Sequence, residues 1–404
     1  MLSEDMIDKL IQPIVDRQEA INVYVIKQIA AQIKRIGELS PSSLHKLERL
    51  YKTGSDVQKI NAEIARLTGL QIQDIKKLMR EVAMDGYLLA KPFFDYRNMP
   101  FIPFDKNVEV QRVVAAVTKQ TVSTYKNLSK AQAFMLRDLT NPKKLIPTSI
   151  AQTYQTVVDE AIQSVQMGVV DYNTAMRRTL DQLSQSGLRR VTYQAESGRF
   201  HTQRMDTAVR RNLLDGVRAI NQGVQDEVGK EFGADGKEIT VHRFSAPDHE
   251  PIQGHQFTNA EFDKLQTEQS FQDAKGNKFM SIRRPIGVWN CRHFTYSIVL
   301  ETSKPIYTDE QLEAFKAENA KGFTPKGGKH LTMYQCTQYQ RQLETEIRYA
   351  KEGKIAADAA GDKTESDKYL TKVSDLMKQY KAFSNSCGLS MKLDKIRVSG
   401  YSDR

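Results

Sequence analysis

The chain has 404 residues, 40% hydrophobic and 27% charged, with a formal net charge of +10, enough material for two or three cored domains and a balance unlike that of a disordered chain. No apolar run approaches the ~18 residues that span a bilayer, and the start MLSEDMIDKLIQPI lacks the charged-then-apolar layout of a signal peptide, so folding in a cytoplasm is expected. Three cysteines, Cys291, Cys336 and Cys387, are too few for a four-cysteine zinc module and argue against a disulfide framework.

Taken in chain order, helices come first. Ile26, Ile29, Ile33 and Ile36 recur at three and four residues and predict an amphipathic helix that Gly37 and Ser40-Pro41 end. The same pattern predicts helices over 42–51, over 57–67 with a stop at Thr68-Gly69, and over 72–86. These are packing stripes to which no chemistry is attached. Residues 91–107, KPFFDYRNMPFIPFDKN, hold three prolines and five aromatics. They predict an extended segment, either an aromatic strap for a partner or a cover for the chain's own core.

Helical pattern returns over 108–139, breaks at Asn141-Pro142 and Pro147, and resumes over 149–187. Met205, Val209, Leu213, Val217, Ile220, Val224 and Val228 then predict one long helix, ended by the glycine-bearing stretch 229–236. Residues 111–220 hold 16 Lys and Arg against 8 Asp and Glu, eight of the ten net positive charges. Lys143, Lys144, Arg177, Arg178, Arg189, Arg190, Arg210 and Arg211 form its adjacent pairs. They are candidates for contacting nucleic-acid phosphates, whose binding would be salt-dependent. Their scattered placement, without interleaved aromatics, equally fits a solvated helical face.

The texture changes at 238–244, EITVHRF, which has strand character. Further β-rich runs follow at 278–283 and 293–300, with a turn at 286–290 between them. Beyond Pro305, two helical runs around Gly361-Asp362 predict a hairpin with mixed surface charge, then a polar end. The expected fold class is therefore mainly α with a small α+β domain. Its parts are an N-terminal helical region (1–107), a basic helical region (108–229), a compact α+β module (230–305) and a C-terminal helical hairpin and tail (306–404).

His242, His249, His255 and His293, four of the seven histidines, fall within the module, with Cys291 and the single tryptophan, Trp289. Three readings apply. His249, His255, Cys291 and His293 are residue types that zinc prefers, but their spacing fits no standard finger, where ligands arrive as two close pairs. Cys291 with His249 or His293 as base, and Gln253 or Asn290 nearby, has the residue types of a cysteine hydrolase, though such a site is defined by geometry rather than by sequence distance. The third reading is structural: polar side chains bonded to backbone around a Gly and Asn turn, over Trp289 and Phe257. It is the one adopted, with no metal, no cofactor and no catalytic residue expected.

The segments DHEPIQGHQF and GVWNCRHF resemble the phage minor capsid proteins of the minor capsid 2 group, akin to the F-type head morphogenesis proteins of phage Mu. The residues that carry the resemblance are His249, Gln253, Gly254 and Phe257, then Gly287, Asn290, Cys291, Arg292 and His293. It is strongest over 200–404 and general in the helical first half. Two residues, Val288 and Trp289, separate Gly287 from Asn290 where the group commonly has one. The resemblance implies a virion protein of the portal vertex or capsid interior that assists head assembly, DNA packaging or ejection. Its implied partners are the portal or major capsid protein and packaged double-stranded DNA, with no membrane. An enzyme centred on His249, Cys291 and His293, and a general DNA-binding protein, are the competing expectations.

Overall fold

A computed structural model describes residues 4–37, 55–138, 141, 144–167, 172–194, 200–267, 270–272, 276–279, 282, 285–287 and 291–402. The helix expected over 42–51 lies outside the described residues, as do Lys143, Trp289 and Asn290 and parts of the runs at 278–283 and 286–290. In chain order the elements are α1 (Glu4–Gly37), α2 (Ser55–Leu88), α3 (Lys91–Tyr96), α4 (Val108–Lys130), β1 (Gln132–Arg137), β2 (Leu145–Ser149), α5 (Ile150–Met167), α6 (Tyr172–Ser186), β3 (Arg189–Gln194), β4 (Phe200–Arg204) and α7 (Met205–Phe232). They continue with β5 (Gly236–Ile239), β6 (Gln256–Thr258), α8 (Asn259–Gln266), β7 (Phe271–Gln272), β8 (Lys278–Phe279), β9 (Thr295–Ile298), α9 (Asp309–Lys321), α10 (Met333–Ala360) and α11 (Lys363–Ser386). The chain is mainly α with a small α+β part, as its sequence implies. Among the described residues, no helix is long and apolar enough to cross a membrane.

Four local expectations are corrected. Thr68-Gly69 does not divide two helices, because α2 runs through it; a glycine inside a helix costs about 1 kcal/mol relative to alanine but does not by itself end it. Helix does not continue to 139: α4 stops at Lys130 and β1 follows. β1 buries five of its six residues, so it lacks the alternation that separates a strand from a buried helical run. The segment 91–107 is not simply extended, since Pro92 sits in the first turn of α3, where its missing N–H is harmless. The strand expected over 238–244 ends at Ile239, and 240–244 enter a loop.

The described structure falls into two compact units, each built from three chain segments. The first comprises Met1–Gln12, Ile72–Tyr125 and Arg210–Gln338. Its sheet runs β6-β5-β9, antiparallel throughout, with Lys237 opposite Phe257 on one side and Glu238 opposite Tyr296 on the other. Val217, Ile220, Val224 and Val228 of α7 are fully buried. The same helix is stitched to β9 by Asn221 Nδ2 donating to the Thr295 carbonyl at 3.2 Å and by Ser297 Oγ donating to the Gln225 carbonyl at 2.8 Å. Four of the five aromatics of 91–107 pack on their own core, and Tyr96 stays exposed. Phe93 stacks on Phe232 at 4.8 Å between centroids, and Phe94 and Tyr87 both pack on Phe101.

The second unit comprises Pro13–Gln71, Lys126–Val209 and Tyr339–Arg404. It contains a four-stranded antiparallel sheet, β2-β1-β3-β4, and the helical hairpin expected around Gly361. There Asp362 caps α11 by accepting from the Glu365 N–H at 3.0 Å. A buried ion network joins the end of β4 to α10. Arg204 makes a bidentate contact with Glu352 at 2.6 and 3.2 Å, its Nε donates to Asp206 at 3.1 Å, and Arg348 reaches Asp206 at 2.5 Å.

Candidate functional site

The β5–β9 pairing brings two distant segments together. Beyond Ile239 the pairing is extended by Thr240 N–H donating to the Phe294 carbonyl and Phe294 N–H donating to Thr240 Oγ1, both at 2.9 Å. This fixes Cys291 and His293 just ahead of β9. The loop that leaves β5 folds back on itself: Gly254 N–H donates to the Ile239 carbonyl at 2.8 Å, and Ile239 N–H to the His255 carbonyl at 3.1 Å. Within it, a helical turn in which Gln253 N–H donates to the His249 carbonyl at 3.2 Å points His249 and Gln253 inward. Gly254 takes a φ of +75° to close the loop, a conformation natural only to glycine.

Three side chains converge there. His249 Nδ1 lies 3.4 Å from His293 Nδ1, and Cys291 Sγ lies 3.5 Å from each of those nitrogens. All three residues are at most 2% exposed. The opposite ring nitrogens face acceptors. His293 Nε2 is 3.2 Å from Gln253 Oε1 and 3.4 Å from Ser245 Oγ, while His249 Nε2 is 3.8 Å from the Asp248 carboxylate. From α9, Asn319 Nδ2 donates to Glu250 at 2.7 Å and so braces the loop. Burial alone pushes the Cys291 thiol up. Its contact with His249 and the backbone N–H groups of Gly287 and His293 outweigh that and leave it below the ordinary thiol value.

The other residues of the motif are placed around this cluster. Phe257 is buried and meets Phe279 edge-on at 4.9 Å, in a core that includes Ile239, Ile252 and Cys291. Gly287 has a φ of +87°, and Arg292 is half-buried. His255 stands apart from the three, with its ring against Phe279 at 5.6 Å. Arg218 lies buried over the Phe294 ring, and burial draws its guanidinium down to about 10. Ser245, Asn319 and Arg218 carry no signal in the sequence, since only the fold sets them beside the cluster, whereas Asp248 opens the DHEPIQGHQF segment itself.

Chemically, the arrangement offers two imidazole nitrogens and one sulfur at a common point. A nucleophilic thiol must also be reached by its substrate, and Cys291 is 2% exposed.

The basic candidates are dispersed. Arg177 pairs with Asp362 at 2.7 Å, Arg189 donates to Thr202 and Tyr349, Arg210 pairs with Asp8, and Arg211 lies 4.0 Å from Asp215. Arg190 is half-buried, whereas Lys144 and Arg178 are exposed.

No curated protein and no solved structure matches the chain. The family model described as phage minor capsid protein 2 matches residues 2–385, which extends the resemblance carried by 248–257 and 287–294 across the helical first half. With nearly its whole length matched, the chain belongs to the phage minor capsid protein 2 family.

Proposed function

We propose that this minor capsid protein is a structural component of the phage head, at the portal vertex or in the capsid interior, where it assists head assembly, DNA packaging or ejection by adhesion rather than turnover. The observation that carries this reading is the family match across residues 2–385, which takes in both compact units rather than one module. The 2% exposure of Cys291 supports a role without a nucleophilic thiol. Helices of the first half supply the docking surface, and exposed cations such as Lys144 and Arg178 meet packaged DNA through its phosphates. Co-expression with the portal protein of the same phage, followed by size-exclusion chromatography, tests it. Co-elution as a complex is expected, and separate elution at both low and moderate salt would overturn the portal placement.

A further inference from the structure

We propose that His249, Cys291 and His293 hold a zinc ion through Nδ1, Sγ and Nδ1. Zinc binds nitrogen at about 2.05 Å and sulfur at about 2.3 Å with tetrahedral angles, so two nitrogens on one ion stand about 3.4 Å apart and a nitrogen and sulfur about 3.6 Å apart. The observed edges are 3.4 Å between the two nitrogens and 3.5 Å from sulfur to each. The three atoms thus already form one face of a zinc tetrahedron.

Proton placement on His293 agrees. Gln253 Oε1 accepts from the backbone N–H of His242 at 2.9 Å. That contact identifies it as the oxygen, because a backbone N–H can only donate. The same oxygen faces His293 Nε2 at 3.2 Å, so this nitrogen carries the proton and Nδ1 presents its lone pair to the centre. For His249, the Asp248 carboxylate lies 3.8 Å from Nε2, too far for a hydrogen bond, and its charge favours the proton on that nitrogen. The sulfur accepts the His293 backbone N–H at 3.4 Å, a contact that steadies a metal-bound thiolate.

One thiolate with two imidazoles suits zinc in preference to magnesium or calcium, which take oxygen. The described residues supply three corners of the tetrahedron. The ion would clamp the loop after β5 to the segment before β9 across a sequence separation of 42 between His249 and Cys291. The spacing resembles no zinc finger because sheet pairing, not a short helix, assembles the ligands.

Full-length protein purified without chelator and analysed by plasma mass spectrometry is expected to carry about one zinc per chain. Cys291→Ser and His293→Ala should lose it, whereas Cys336→Ser and Cys387→Ser should keep it. Ligand variants can fail to fold, so chelator-stripped wild-type protein is also titrated with cobalt(II). Intense tetrahedral d–d bands with a sulfur-to-cobalt charge-transfer band are expected. Folded wild-type protein that retains no zinc after zinc supplementation would overturn the proposal, as would a cobalt spectrum lacking the charge-transfer band.

Discussion

The side-chain oxygen of Gln253 accepts from the ring of His293 at 3.2 Å, and the same oxygen serves the backbone N–H of His242. Gln253→Leu removes the acceptor that these two donors share, while Ser245 Oγ stays 3.4 Å from His293 Nε2. A donor that loses its acceptor on burial costs about 1–3 kcal/mol, so the denaturation midpoint should fall. Gln253→Glu, which keeps an acceptor oxygen in place, should fall less. Equal midpoints for Gln253→Leu and the parent protein would show that this oxygen does not organise the loop.

Gly254 combines a φ of +75° with crowding, since a Cβ there would lie 2.5 Å from Leu312 Cδ2 and 3.0 Å from Val241 Cγ2. Gly254→Ala should therefore destabilise by more than the ~1–2 kcal/mol of left-handed backbone alone. Adding Leu312→Ala should recover the steric part but not the backbone part. A double variant as stable as the parent would contradict the conformational half of this account.

Arg204 and Glu352 are a buried bidentate pair, 2.6 Å at the shorter contact. Removing Glu352 leaves the Arg204 and Arg348 guanidiniums sharing the single Asp206 carboxylate, an excess buried positive charge that costs about 3–5 kcal/mol. Glu352→Leu should therefore be far more damaging than the joint replacement of Arg204→Met and Glu352→Leu. Denaturant midpoints of the two variants and the parent give the comparison.

Two carboxyls in that neighbourhood give opposite pH dependence. Burial, with the nearby Glu352 charge, raises Glu19 from 4.5 to about 8. Its unfolded form ionises first, so the stability it permits is full below pH 4.5, declines as pH rises to about 8, and is constant beyond. Asp206 is opposed by burial but held well below the carboxylate range by Arg204 and Arg348. Its contribution is present at neutral pH and is lost as pH falls through its lowered folded value. Glu19→Gln should match the parent near pH 4 and exceed it at pH 8, read as melting temperature. Parallel melting curves across that range would contradict the burial of an ionisable Glu19.

What the sequence revealed depended on where periodicity survives. The stripe from Met205 to Val228 is legible because its residues recur at every third or fourth position of α7 and all are buried. The hairpin at Gly361 is legible because glycine and a capping Asp362 coincide. β1 was not, because a strand buried nearly throughout reads like a helix. The site was half legible. Its residue types concentrate between 242 and 293, but the meeting of His249 with Cys291 and His293 depends on β5 pairing with β9, and on a loop that closes through a positive-φ glycine. The basic pairs misled in another way: adjacency in sequence does not reveal that Arg177 is spoken for by Asp362.

That distinction makes the DNA contacts testable. Lys144 and Arg178 are exposed, so reversing both to Glu should weaken binding to double-stranded DNA and flatten its salt dependence. Arg177→Ala should lower stability through Asp362 while changing DNA affinity less. Fluorescence anisotropy at several salt concentrations, with melting curves, separates the two. Unchanged affinity in the double reversal would remove these residues from any DNA surface.

A minor capsid protein is built into the phage head, and quantitative mass spectrometry of gradient-purified, DNA-filled particles measures that incorporation. The chain is expected in every preparation, at a copy number far below that of the major capsid protein and in fixed ratio to the portal protein. Particles that lack it, or a ratio that drifts with each purification step, would contradict that expectation.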